Sequence, residues 1–278
     1  MSKELEELEK KFEEKTFEML VLLKRSLNGA MVVGDYFKPT IPFIASVNLE
    51  TGELRQEEGI MIWLVKQKKL FGPRYGYDFK KMQICRVLVR KGIPVESKDH
   101  LTAHANNQYL LVKVLDKNVQ EERLEQIREE YQKPVYVDNE IGHFELERDW
   151  DHFTGEINWL GDSCSVYLNV EPGTVTADMQ FNLLKNVVVS KENWDHKIRT
   201  FAASNLTESA NDWQAQRESE AEEITEEQFI KRITMIELTI NIDGSMAAVF
   251  SDDDMFWGHW IVVRIDSDGN LEDVDIEG

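Results

Sequence analysis

The residues with the greatest potential for chemistry lie near the end of the chain, where three aspartates precede a histidine. Asp252, Asp253 and Asp254 are followed by His259 in the segment Met255-Phe-Trp-Gly-His259. Carboxylates beside an imidazole can bind a metal or exchange protons, so a metal-assisted hydrolase around His259 is one hypothesis. An extended strand would place His259 on the same face as Trp257, which favours a hydrogen-bonded core residue instead. Without a paired metal-ligand motif in the chain, we predict no metal and no cofactor.

The acidic character continues to the last residue. Asp266-Ser-Asp-Gly-Asn270 resembles a calcium loop, but its glycine comes too early, and a hairpin turn explains the same residues. From Asp252 onward there are nine acids and a single arginine, Arg264, a net charge of −8. Clustered acids attract basic proteins over a distance. We therefore name these candidate binding residues for a basic partner: Asp252, Asp253, Asp254, His259, Asp266 and Asp268.

One loop in the first half has the opposite charge. Between residues 66 and 81, six cations face the single acid Asp78, and aromatic residues alternate with them. Cations interleaved with aromatics are typical of single-stranded nucleic-acid binders, so this is the alternative hypothesis. The competing interpretation is a long hairpin loop whose aromatics pack on the β-domain. The alternative patch comprises Lys66, Lys68, Lys69, Arg74, Tyr75, Tyr77, Lys80 and Lys81.

Composition limits the function further. The 278 residues are 42% hydrophobic and carry a net charge of −20, which opposes binding of nucleic acid by the whole surface. Cys85 and Cys164 are too few and too far apart for a disulfide framework or a zinc site. The chain has no nucleophile elbow, no phosphate-binding loop and no apolar stretch that would span a membrane, and its first residues lack the basic-then-apolar pattern of a secretory signal. We expect a cytoplasmic protein and lean against an enzyme.

The first half must position the basic loop. An apolar stripe at helical spacing predicts an amphipathic helix within residues 1–29, ended by Asn28-Gly29. Five strand patterns and a final helix then predict a small β-rich domain over residues 30–137, an antiparallel sheet or barrel. A five-stranded oligonucleotide-binding type of barrel is one possibility.

The second half must position the acidic residues. Residues 138–278 predict three strands, three helices and four strands, an antiparallel sheet with helices on one side, so the fold class is α+β. Residues 255–265 are apolar on both strand faces, which predicts a central strand covered on both sides.

Several segments of this half resemble a bacterial family described as domain of unknown function 2262. These segments are His143-Phe-Glu-Leu-Glu-Arg-Asp149, Phe153-Thr-Gly-Glu-Ile-Asn-Trp-Leu-Gly161, Trp194-Asp-His-Lys-Ile-Arg199, Asn211-Asp-Trp213 and Met255-Phe-Trp-Gly-His259. The resemblance covers about residues 141–278. It implies a bacterial cytosolic protein and brings no established activity, cofactor or catalytic residue. Our leading hypothesis is a non-enzymatic acidic interaction module, with an immunity factor as an analogy.

Overall fold

The chain folds into two units, Met1–Lys133 and Pro134–Gly278, in a computed structural model that describes residues 2–67, 75–94, 106–217 and 222–278. The division lies at Pro134, four residues before the predicted boundary between residues 137 and 138. Strands dominate both units and helices are confined to a few segments, which confirms the α+β class.

The first unit is built on a five-stranded barrel to which three short strands are added. The eight strands of the unit are β1 (Phe12–Leu23), β2 (Ala30–Val33), β3 (Tyr36–Asn48), β4 (Leu54–Arg55), β5 (Gly59–Ile62), β6 (Val65–Lys66), β7 (Ile84–Gly92) and β8 (Gln108–Asp116). The barrel closes because β1 pairs with both β3 and β7, β7 with β8, β8 with β5, and β5 with β3. Only the β5–β8 pair of this circuit is parallel. This is the connectivity of the oligonucleotide-binding type of barrel, and it fixes no ligand by itself.

The predicted amphipathic helix at the start of the chain is wrong for most of its length. Helix α1 spans only Lys3–Glu9, and the following residues form strand β1. Met19-Leu-Val-Leu-Leu23 is buried on both faces: Met19, Val21 and Leu23 fill the barrel, whereas Leu20 and Leu22 pack under a helix. A strand can bury both groups of residues at once, because successive side chains of a strand point to opposite faces.

That covering helix is α2 (Glu122–Tyr131), and it packs Leu124 on the outside of β1 and β3. The Glu121 carboxylate accepts a hydrogen bond from Leu124 N at 2.7 Å and caps the helix. Proline cannot continue a helix, so Pro134 separates α2 from the second unit.

The second unit is an eight-stranded sheet with three helices. Its elements are β9 (Tyr136–Asp138), β10 (His143–Glu147), β11 (His152–Trp159), β12 (Asp162–Asn169), α3 (Asp178–Val189), α4 (Lys191–Arg217), α5 (Glu226–Arg232), β13 (Thr234–Ile240), β14 (Met246–Ser251), β15 (Trp260–Ile265) and β16 (Leu271–Glu277). The strands lie side by side in reverse chain order, from β16 to β9. Four strands rather than three precede the helices, and the sheet is antiparallel except for the β12–β13 pair. That pair is parallel because the three helices connect its two strands.

The helices cover one face of this sheet. Inward residues such as Val166 and Ile261 share one core cluster with Leu184 of α3 and Ile198 of α4. A polar contact fixes α4 at this face, since Trp159 Nε1 donates to Asp195 Oδ1 at 2.8 Å. The other face carries none of the helices described in this unit, as the sequence pattern predicted.

The predicted strand over residues 255–265 is only half correct. Strand β15 begins at Trp260, and residues 252–259 form a tight turn in which Asp253, Asp254, Trp257 and Gly258 have positive φ. β15 is second from the sheet edge and is covered by helices on one face only. Met255 and Phe256 are still buried, because the turn folds them back into the core.

Candidate interaction surface

The face of the second sheet without helices, here termed the open face, presents alternate residues of every strand. In β10, Phe144 and Leu146 are buried, whereas Glu145 and Glu147 are exposed. Residues that lie directly opposite each other on paired strands point to the same face of the sheet. The residues paired with Glu145 and Glu147 therefore also lie on the open face. The open face can therefore be read residue by residue from the pairing.

The open face is strongly acidic. Arg264 is the single Lys or Arg in strands β9–β16, all of which are described. Against it stand eight carboxylates, which gives a formal net charge of −7 with histidines neutral. These acids are Asp138, Glu145, Glu147, Glu156, Glu237, Asp273, Asp275 and Glu277.

Arg264 forms ion pairs with three acids of the neighbouring edge strand, β16. Its Nη1 donates to Asp275 Oδ2 at 2.7 Å and to Asp273 Oδ2 at 3.1 Å, and its Nη2 donates to Glu277. The hydrogen bond that Arg264 donates to Asp275, together with the charges of all three acids, raises the pKa of Arg264. One cation among three carboxylates leaves that corner of the face negative.

An exposed tryptophan lies beside this corner. Trp260 is 54% exposed and lies opposite Ser251 on one side and Glu277 on the other. An indole face next to carboxylates suits a guanidinium or ammonium group, which gains a cation–π contact and an ion pair together. Trp257 is also about half exposed and stacks on Trp213 with 4.8 Å between ring centroids.

The predicted binding residue Asp252 has a different task. Its carboxylate is buried and accepts hydrogen bonds from Asp254 N at 3.1 Å, Phe256 N at 2.7 Å and Gly258 N at 3.1 Å. These bonds hold the tight turn that leads into β15. The same turn directs Asp253 to Arg232, whose Nε lies 2.8 Å from Asp253 Oδ2. The three aspartates therefore do not converge on one point.

His259 is half-buried and serves the same turn. Its Nδ1 lies 2.6 Å from Phe256 O, and its ring contacts Trp213 edge-on at 5.4 Å. The backbone carbonyl can only accept, so Nδ1 carries the hydrogen in this contact. Among the residues that the structure describes, no group of three or more His, Cys, Asp or Glu side chains could hold a metal.

The last two predicted binding residues belong to the β15–β16 hairpin. Asp266 accepts hydrogen bonds from Asp268 N, Asn270 N and Asn270 Nδ2, and the bonds from Asn270 lower the pKa of Asp266 most strongly. Asp268 is exposed at the tip. The resemblance to a calcium loop is thus explained by a carboxylate that shapes a turn.

The basic loop is described only in part. Lys68, Lys69 and Arg74 lie outside the described residues, while Lys66, Lys80 and Lys81 are exposed. The aromatic residues pack downward: Tyr77 contacts Trp63 at 5.8 Å and Phe79 at 5.5 Å, and Tyr75 contacts Phe37 at 5.4 Å. Phe79 is buried in the barrel core. The rings that the nucleic-acid hypothesis needs are largely occupied by the protein itself.

The sequence reasoning missed the acids on β10, β11 and β13, namely Glu145, Glu147, Glu156 and Glu237. A usable signal exists in His143-Phe-Glu-Leu-Glu147, where acids alternate with buried apolar residues. What the sequence lacked was the strand order, which brings these acids onto one face with Asp273 and Asp275.

Comparisons with known proteins agree with this division of the chain. Residues 4–131 match a family described as a domain of unknown function, number 7021. Residues 138–276 match a family described as an uncharacterised protein conserved in bacteria, domain of unknown function 2262. A search of curated proteins found no match. None of the described helices is long and apolar enough to cross a membrane. The chain belongs to the bacterial family of domain of unknown function 2262, carried in its second unit.

Proposed function

We propose that the second unit is a non-enzymatic protein-interaction module whose open face binds a basic partner protein. The observation that carries the proposal is the charge of this face, eight carboxylates against Arg264. Such a face accelerates the encounter with a positively charged protein and repels acidic ones. In this proposal Trp260 is the anchor, because a tryptophan that a partner buries can carry a large share of the binding energy.

A charge-reversal series tests the proposal. The face variant carries Glu145→Lys, Glu147→Lys and Glu156→Lys, which changes the charge of the open face from −7 to −1. All three side chains are exposed, and no lysine or arginine lies directly opposite them on a neighbouring strand, so the sheet should tolerate the new lysines. The immobilised wild-type protein is first used to isolate a partner from the native host at low salt.

A second variant separates this face from overall charge. Glu208→Lys, Glu222→Lys and Glu223→Lys reverse three exposed acids on α4 and the segment after it. Both variants change the net charge of the chain equally. The purified partner should lose at least about tenfold in affinity, or about 1.4 kcal/mol, for the face variant and little for the control.

Trp260→Ala should weaken the same complex by about 2 kcal/mol, roughly 30-fold. Binding should also fall steeply between about 0.05 M and 0.5 M salt, because salt screens exposed charges. Recovery of no partner, of an acidic partner, or of one indifferent to ionic strength would contradict the proposal. So would equal losses in the two charge-reversal variants.

An immunity factor against a basic toxin is one form of this proposal. The support is the negative face, which matches a basic toxin by charge. Co-expression of the chain with a toxin encoded beside its gene should protect cells, and the face variant should not protect them.

A further inference from the structure

A groove of about 860 Å³ opens at the rim of the barrel in the first unit. It is lined by α1, β1, β7, β8 and the segment around β6, away from the middle of β3 and β5. Small-molecule sites occupy about 300–1,000 Å³ and are often at the mouths of β-barrels. This groove is therefore large enough for a ligand of several rings.

The walls of the groove are apolar and aromatic. Leu64, Leu110 and Val112 form an apolar strip, and Tyr36 and Tyr77 stand beside it. Val112 is 45% exposed and Leu110 is 7% exposed, so the strip is open to a ligand mainly at Val112.

One wall is held rigidly before any ligand binds. Trp63 Nε1 donates to Tyr75 O at 2.8 Å, and the ring of Tyr77 packs on Trp63 and Phe79. A preformed wall lowers the entropy cost of binding.

The groove is lined by equal numbers of negatively and positively charged side chains. Glu9 and Glu14 contribute two carboxylates, and Lys66 and Arg90 contribute two cations. The guanidinium of Arg90 donates to the backbone carbonyls of Glu9, Phe12 and Glu13, so it fixes the α1–β1 junction. The rim also presents the carboxylates of Glu9 and Glu14, which only accept hydrogen bonds, and the ammonium of Lys66, which only donates them. The hydroxyl of Thr16 can do both.

We propose that this groove binds a neutral, polyhydroxylated ligand, namely an oligosaccharide. A phosphorylated or otherwise anionic ligand would meet Glu9 and Glu14, and a strongly cationic ligand would meet Lys66. Sugar hydroxyls both donate and accept, so they can use the carboxylates and the ammonium together. The C–H faces of sugar rings fit the tyrosines and the apolar strip. This proposal is independent of the open face of the second unit.

Isothermal titration of the full chain with neutral trisaccharides tests the proposal. The probes are maltotriose, cellotriose and triacetylchitotriose, with trigalacturonate and an eight-residue oligothymidylate as anionic probes. We expect at least one neutral trisaccharide to bind with a Kd below about 1 mM, and both anionic probes to bind at least tenfold more weakly.

Two variants on one strand locate the site. Val112→Asp places a third carboxylate in the groove and should reduce trisaccharide affinity at least tenfold. Leu115→Asp changes another exposed apolar residue of β8 that does not line the groove, and affinity should stay within twofold. Circular dichroism must show that both variants are folded. Absence of binding by every neutral trisaccharide, tighter binding of an anionic probe, or equal effects of the two variants would overturn the proposal.

Discussion

The role of Asp252 can be decided by one substitution, Asp252→Asn. As a ligand or proton donor in a site, Asp252 would contribute to activity and little to stability. As the organiser of a turn, it contributes to stability, because Asp252 is 4% exposed and its carboxylate accepts three backbone hydrogen bonds. The substitution keeps the size of the side chain and removes one acceptor oxygen.

The expected loss follows from which oxygen is replaced. Asp252 Oδ2 accepts from Phe256 N and Gly258 N, while Oδ1 accepts from Asp254 N. An amide that keeps Oδ1 presents an NH₂ group to the other two N–H groups. Hydrogen bonds to a charged group are worth about 1.5–3 kcal/mol each, so we expect a loss of about 3–5 kcal/mol. With a denaturant slope of about 2 kcal/mol/M, the urea midpoint should fall by about 1.5–2.5 M.

Tryptophan fluorescence during urea denaturation reports on the correct unit. Six of the seven tryptophans lie in residues 134–278; Trp257 lies within the turn and Trp260 directly follows it. Asp268→Asn is the matched control, because this aspartate is exposed at the tip of the neighbouring hairpin. It should change stability by less than about 0.5 kcal/mol. A stability loss below about 1 kcal/mol in Asp252→Asn would refute the assignment of this carboxylate to the turn.

Three further predictions concern buried titratable groups. In Glu58→Gln, the buried Lys24 ammonium loses a carboxylate at 3.0 Å, so the barrel should lose about 3–5 kcal/mol in urea denaturation followed by circular dichroism. Burial lowers the pKa of His152 from its usual 6.5. Its contribution to stability is therefore complete above about pH 6.5 and is lost as pH falls through the lower folded pKa; His152→Gln should remove that pH dependence. Burial raises the pKa of Cys85 and Cys164 to about 12. Iodoacetamide at about pH 8 should thus label neither thiol until the protein is denatured.

Each of these predictions has a direct control. Glu50→Gln breaks the exposed pair with Lys15 and should cost less than about 1 kcal/mol, in contrast to the buried pair. An unchanged pH profile in His152→Gln would assign the acid sensitivity to the carboxylates. Rapid labelling of either cysteine in the folded protein would contradict the burial of that residue.

The secondary structure was predicted well where the apolar residues fitted only one spacing. The prediction failed where the same apolar residues fitted both a helix and a strand. The strands and helices of residues 143–240 follow clear alternation and capping, for example Thr225 with Gln228, whose capping box is present. The apolar residues over residues 3–26 recur at helical spacing. However, five consecutive apolar residues from Met19 to Leu23 would surround a helix on all sides, so such a helix would have no polar face for the solvent. That run required a strand between two apolar layers, which only the closed barrel supplies.

The candidate site was harder to predict, because residues that are far apart in the sequence lie side by side on the sheet. The acids near the chain end were visible as a cluster. The acids of β10 and β11 are more than 100 residues away from Asp273 and join it only through the order of eight strands. No pairing of β12 with β13 can be read from composition, because a three-helix connection separates these strands.

The hydrogen bonds now separate two kinds of acid that the sequence treated alike. Asp252 and Asp266 each accept three hydrogen bonds that shape their own turns, so their negative charge is largely used within the backbone. The carboxylates of Glu145 and Glu156 accept no hydrogen bond from any described residue, and both residues lie in the middle of regular strands. A carboxylate in that position contributes nothing to the turn geometry of the fold. Its charge is available to another molecule, which is why we propose the open face, and not the loops, as the surface that binds a partner.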